Sequence, residues 1–241
     1  MRSVAAATTG SMRKRLARKF HLLRTRGAVR FGYTALRGIA SLPLLRRSVR
    51  IYAGELLRLP LVDVSAVART PRNFVVRLSD ADDLPALVEY YGSEPLVRRR
   101  LDRGDLCVLT LCQDRIGAAV WLAVGPGDFR EDWGEARYVC RFPTEVSWTY
   151  DGRGSKWGAW GTLMARLPDL MRQRGVHELV TLIDCNNWQS LDAHRSLGYE
   201  TVGLIGCVGA LGLIRSACKP LRRRWTFPPA TIAGLEIGKR R

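Results

Sequence analysis

Histidine is scarce in this chain of 241 residues, with His21, His177 and His194 only, and no two of its six cysteines are spaced Cys-x-x-Cys. A structural zinc site draws on closely spaced Cys and His, so no metal site is expected. Cys107, Cys112, Cys140, Cys185, Cys207 and Cys218 lie mostly in apolar, strand-like runs and read as small buried thiols, which suits a reducing compartment. No run of about 18 uncharged apolar residues exists, so no transmembrane helix is expected. The expected location is cytoplasmic, with peripheral attachment to a membrane open. Phosphate-binding signatures are also incomplete. No Gly-x-x-x-x-Gly-Lys-Ser/Thr window occurs, and Gly152-Arg153-Gly154-Ser155-Lys156-Trp157 lacks the third glycine of a dinucleotide loop. The same stretch places Lys156 where a Gly-x-Ser-x-Gly nucleophile elbow needs glycine. There is no internal repeat.

Acid is missing from one end. The formal net charge is +17, yet residues 1–50 hold thirteen Arg or Lys and no Asp or Glu, and the first acid is Glu55. Residues 215–241 hold eight basic residues against Glu236 alone, so residues 51–214 are mildly acidic, with a net charge of −3. In the N-terminal segment Met12, Leu16, Phe20 and Leu23 share one helical face, with arginines and lysines around the rest. Such a helix lies on an anionic membrane surface, binds nucleic acid, serves as a transit peptide, or packs on its own domain. The next apolar segment, Phe31 to Leu45, is broken by Arg37, Gly38 and Pro43 and is too short to span a bilayer. Three parts follow: residues 1–70 as a basic amphipathic helical extension, 71–214 as the globular domain, and 215–241 as a basic tail.

From Arg72 strands and helices alternate. Residues 73–78 read as a strand, Ser79 and Asp82 form a capping box for a helix to about Tyr91, and Ser93 opens a second helix that Gly104 stops. Two strands meet at Gln113-Asp114-Arg115, and a polar, Gly-rich loop spans 125–135. One long strand then runs from Ala136 to Tyr150, with Pro143 marking a bulge. Next come a basic glycine-rich turn, a helix ending at Gly175, the strand HELVTLID, a helix ending at Gly198, and a last strand from Tyr199 to Ile214. The turn, with unpaired amides at a helix N-terminus, is a general anion site.

This order resembles the GNAT superfamily of acyl-CoA-dependent N-acyltransferases over roughly residues 73–205. Two motifs carry the resemblance. Lys156-Trp157-Gly158-Ala159-Trp160-Gly161 is similar to the coenzyme A loop Gln/Arg-x-x-Gly-x-Gly/Ala, with Lys for Arg and Ala for the first Gly. Asn187, Ser190, His194 and Gly198-Tyr199 follow the family's Asn…Ala/Ser…Tyr…Gly-Phe/Tyr spacing, with His194 where tyrosine is usual. The resemblance implies an α/β (α+β) fold, a mixed, mainly antiparallel twisted sheet flanked by helices and preceded by the basic helical extension.

It also implies acetyl-CoA as acyl donor, no metal, and a primary amine of unknown acceptor. Lys156, Trp157, Gly158, Ala159, Trp160 and Gly161 would hold the pyrophosphate and adenine end. Val146 and Trp148, on the strand that splays in the family, would hold the pantetheine with Asn187. Glu145 would take the amine proton and His194 would protonate the leaving thiolate; their ordinary roles are a solvated strand residue and a surface residue of a short helix. Two other functions fit the residues: a catalytically degenerate coenzyme A sensor or adaptor, and a basic protein bound through residues 1–50 to an anionic membrane surface, or through Arg222-Arg223-Arg224 to nucleic acid. Nucleic acid ranks behind the membrane because few stacking aromatics lie among those charges.

Overall fold

A computed structural model describes residues 32–40, 49–61, 73–130, 139–210 and 213–220. The basic helix expected around residues 12–26 and the Arg222-Arg223-Arg224 cluster lie outside them. Residues 32–40 form helix α1. Ten strands and four further helices follow: β1 (Val49–Pro60), β2 (Val75–Leu78), α2 (Leu84–Tyr91), α3 (Glu94–Asp102), β3 (Leu106–Cys112), β4 (Arg115–Val124), β5 (Gly127–Arg130), β6 (Val139–Phe142), β7 (Val146–Gly154), α4 (Ala159–Arg172), β8 (Glu178–Asp184), α5 (Trp188–Ser196), β9 (Glu200–Ala210) and β10 (Leu213–Pro220). Eight strands form one sheet in the order β10-β9-β1-β8-β7-β4-β3-β2, while β5 and β6 pair separately. Every neighbouring pair is antiparallel except β7 and β8. This is the mixed, mainly antiparallel sheet flanked by helices that the resemblance implies.

Each face of the sheet has its own core. Leu87 and Tyr91 of α2, Val97 of α3 and Phe129 of β5 cover Trp121, Trp148 and Tyr150 on one side. On the other, Leu163, Leu167 and Met171 of α4 and Leu191 of α5 cover Val120, Leu122, Leu179 and Ile183. The spacing of Leu163, Met164, Leu167 and Met171 turns one stripe of α4 inward, and Gly175 at φ +76° ends the turn after it.

Strand β1 differs from the sequence expectation. Val49–Pro60 is a central strand between β8 and β9, not part of a helical extension. Its residues Glu55, Leu56, Leu57 and Leu59 are all buried, Leu56 against one core and Leu57 and Leu59 against the other. A strand buried on both faces lacks the alternation that marks a half-exposed one. The other differences are smaller. Pro143 separates two strands rather than bulging one: β6 pairs with β5, inside the stretch expected to be a loop, while β7 joins the main sheet. The final strand is a hairpin, β9 and β10, so residues 215–220 of the expected tail are sheet. The capping box sits one residue on, between Asp80 and Asp83, where Arg77 also bonds Asp83 at 2.5 Å.

Candidate active site

The parallel pairing of β7 with β8 runs from Val146↔Glu178 to Thr149↔Thr181 and stops. At the last rung Thr149 Oγ1 donates to Val180 O (3.2 Å) and Thr181 Oγ1 to Thr149 O (2.9 Å). Beyond it β7 carries an extra residue against β4: Ala119 faces Arg153 and Trp121 faces Tyr150, so Asp151 and Gly152 oppose Val120 alone. A bulge bends its strand and raises the local twist, and here it lies where β7 parts from β8. Asp151 holds the bulge at φ +43°, a left-handed conformation that aspartate tolerates better than most residues.

That conformation is tied to the helices behind it. The Asp151 carboxylate accepts from Arg100 Nη1 (2.7 Å) and Arg153 Nε (3.0 Å), and its carbonyl accepts from the Tyr91 hydroxyl (3.2 Å). Arg100 is buried, its guanidinium carbon 5.8, 5.4 and 5.0 Å from the ring centres of Tyr91, Trp121 and Tyr150. A buried guanidinium is tolerated only when paired, and the aromatic faces add attraction. Alongside, Tyr150 Oη bonds Asp105 and accepts from Arg103 Nη2 (2.9 Å). Burial pushes the Tyr91 and Tyr150 phenols far above the ordinary tyrosine range, so both stay protonated donors.

Between the parted strands lies a cleft of about 230 Å³, lined by Trp148 to Gly152, Trp160, Met164, Thr181 to Asp184, Asn187, Ser190 and His194. A larger depression of about 630 Å³ lies beside α2 and the β3–β4 hairpin, where Arg153, Gly154 and Ser155 of the glycine-rich turn line it. At the cleft mouth the glycine-rich turn enters α4. Gly158 takes φ +79° at the N-cap, and the amides of Ser155 and Lys156 bond Gly117 O (2.8 and 3.1 Å). The amides of Trp157, Gly158, Trp160 and Gly161 have no backbone acceptor among the described residues, the usual state of a helix N-terminus. Ala159 fits because Gly158 supplies the positive φ, and its methyl packs where Gly117 has no side chain: a Cβ on Gly117 would lie 3.0 Å from it. Gly152 makes room for Trp160, whose ring would lie 2.3 Å from a Cβ there. Trp157 is 98% exposed, and Lys156 and Gly161 are exposed beside it.

Helix α5 supplies the third wall. Asn187 is its N-cap, with Oδ1 accepting from Ser190 N (3.2 Å), and it lines the cleft as well. His194 is buried, 4.9 Å from the Tyr199 ring and 6.4 Å from Trp160, with Nδ1 2.7 Å from Ser190 O. A carbonyl only accepts, so Nδ1 carries the proton and Nε2 the lone pair. Burial holds the imidazole below its ordinary value, and the bond to Ser190 only partly offsets this. Burial therefore favours the neutral imidazole, whose Nε2 lone pair can take up a proton that the ring can later give back.

The other inferred residues separate. Val146 and Trp148 lie in the half of β7 paired on one or both edges, their backbone committed to the sheet, although the Trp148 ring reaches the cleft. Glu145 is exposed at the opposite, closed end, before Val146↔Glu178, and its carbonyl accepts from His177 and Glu178 N. It is at least four residues, about 13 Å of extended chain, from the last rung. The sequence reading missed Tyr150, Asp151 and Gly152, although Asp-Gly after an apolar run is a signal of turn or bulge. It also missed the edge formed by α1: Tyr33 and Arg37 both bond the Asp184 carboxylate, and Thr34 Oγ1 donates to Asn186 Oδ1 (2.6 Å).

Family models and curated proteins give no match to the sequence. Among solved structures, a functionally unknown conserved protein from Staphylococcus epidermidis aligns at 10% identity and TM-score 0.46, over 70% of this chain and 63% of its own length. A ribosomal-protein-alanine N-acetyltransferase from Brucella melitensis aligns at 22% identity and TM-score 0.38, over 52% and 83%. An aminoglycoside acetyltransferase from an uncultured soil metagenomic sample aligns at 12% identity and TM-score 0.38, over 54% and 90%. This chain thus spans under two thirds of the staphylococcal protein.

Proposed function

We propose that the chain is a GNAT-type acyltransferase that moves an acetyl group from acetyl-CoA to a primary amine of an unknown acceptor within a ternary complex. The observation that carries this is the opening of β7 from β8 at the Asp151 bulge with the N-terminus of α4 at its mouth. The unpaired amides of the first turn and the helix dipole favour an anion there, and Lys156 and Arg153 supply nearby positive charge. The side-chain amide of Asn187 has hydrogen-bonding capacity left for the pantetheine after Oδ1 caps α5. The freed backbone of Tyr150 to Gly152, rather than Val146 and Trp148, offers the hydrogen bonds that stabilise charge growing on the carbonyl oxygen.

Acyl transfer from a thioester to an amine leaves one proton too many on nitrogen and one too few on sulfur. His194 serves both needs as a shuttle, since a neutral Nε2 takes the proton from nitrogen and returns it to the departing thiolate. Glu145 takes no part. Titration calorimetry of the full chain with acetyl-CoA tests the reading. Saturable binding is expected, and Gly161→Asp should weaken it at least about tenfold, because a carboxylate then faces the phosphates. Gly161 is open to solvent, so the variant should fold. No heat at millimolar acetyl-CoA overturns the assignment. Binding with no thiol release across a panel of amines is the result expected of a non-catalytic adaptor, the alternative that the lysine, alanine and histidine departures favour.

A further inference from the structure

The described residues include six large hydrophobic side chains that stand exposed, between 39% and 98%: Leu36, Ile39, Val75, Trp157, Trp188 and Val208. All six lie at one end of the main sheet. The C-terminal ends of β7 and β8 define that end, and Trp157 and Trp188 follow those two strands directly. Leu36 and Ile39 belong to α1, which is bonded to Asp184 and Asn186 at the tip of β8. Val208 pairs with Ile51, three residues past the level at which Gly54 meets Asp184. Val75 opens β2, next to Phe74, whose ring would lie 3.6 Å from a Cβ on Gly158. The closed end, where Glu145 and Glu178 lie, shows no large exposed hydrophobic among the described residues.

Single exposed apolar residues are ordinary on a protein surface, but their confinement to one end is not. The chain that leads into this end, residues 1–31, carries nine Arg or Lys and no Asp or Glu. The basic, acid-free sequence that precedes α1, together with two exposed indoles and the exposed Leu36 and Ile39 at this end, complements an anionic lipid surface: indole rings favour the headgroup level, and guanidinium and ammonium groups favour acidic headgroups. A polyanion such as nucleic acid leaves the aliphatic side chains without a role. A second copy would bring two basic arms together. We infer that this end, α1 together with the turns before α4 and α5, is a docking face for anionic membrane, which brings the cleft mouth against the lipid. The inference does not rest on the acyltransferase reading.

The full chain should sediment with vesicles of phosphatidylcholine and phosphatidylglycerol, and far less with phosphatidylcholine alone. Leu36→Ser with Ile39→Ser should weaken partitioning about tenfold, because the outward apolar face of α1 is lost. Bromine-labelled lipid should quench tryptophan fluorescence, and Trp157→Phe should reduce that quenching. Binding that the double variant retains in full, with no quenching, overturns the docking face and leaves only the basic arm. Stronger retention on RNA than on these vesicles, or a stable dimer abolished by the double variant, overturns it too. Acetyl-CoA calorimetry on the same preparation keeps the two inferences apart, since lipid docking stands whether or not heat is seen.

Discussion

Strand β7 is two strands in one. From Val146 to Thr149 it is bonded to β8, and from Ser147 onward to β4 as well, and its side chains are buried. From Tyr150 to Gly154 it leaves β8, passes through the Asp151 bulge and becomes exposed. The first half is held by the ordinary ladder. The second keeps only β4 as a strand partner, and side chains from the helices behind it, chiefly Arg100 and Tyr91, hold it as well. A strand that is to offer its backbone to a ligand must give up a partner strand, and the position that partner would have enforced then has to come from elsewhere.

Four variants probe that contrast. Arg100→Met removes the partner of a carboxylate in the open half and should cost about 3–5 kcal/mol in urea unfolding, as for other broken buried pairs. Arg58 bonds Glu178 at 2.6 Å at the closed end, where both are partly exposed, so Arg58→Met should cost about 1 kcal/mol or less. Equal losses would mean that the two halves are held alike.

His194→Gln should lower turnover about a hundredfold, the usual loss for a proton-transfer group, with little change in acetyl-CoA affinity. It should also change the acid limb of stability. Because burial depresses the folded imidazole below 6.5, the unfolded chain takes up the proton first as pH falls. The wild type therefore loses stability from about pH 6.5 downward through the folded value, and the glutamine variant should lose less over that window. An unchanged acid limb would show that His194 is solvated rather than buried.

The smallest effect belongs to the closed half. Glu145→Gln should leave turnover within about twofold of wild type, because an exposed carboxylate so far along the strand cannot reach the cleft. A loss comparable to that of His194→Gln would put the chemistry at the wrong end of β7.

Much of this was legible in the sequence. Periodicity placed α4, β8 and α5, and the spacing from Asn187 to Tyr199 located a helix whose cap and buried histidine both line the cleft. What escaped has physical causes. In Glu94–Asp102 helical spacing puts Arg100 on the face of Leu96 and Val97, but the partners that let an arginine be buried there, Asp151 above all, are far away in sequence. Glu145 is the only acid between Glu135 and Asp151, yet which end of a strand opens is decided by pairing register, not by composition. Strand β1 escaped because it is buried on both faces, so its residues show no clean alternation, and because it follows a basic run.

The place of β1 also bears on how the chain is made. Its neighbours β8 and β9 come more than a hundred residues later, since Gly54 pairs with Asp184 and Ile205. On the ribosome β1 therefore emerges early and must wait, with two buried faces and two unpaired edges, until nearly the whole domain has followed. Pairings of such long sequence separation are slow to form and expose apolar edges meanwhile. The centre of the sheet is then the last part to close, and a nascent chain paused before β9 is the species most prone to aggregate.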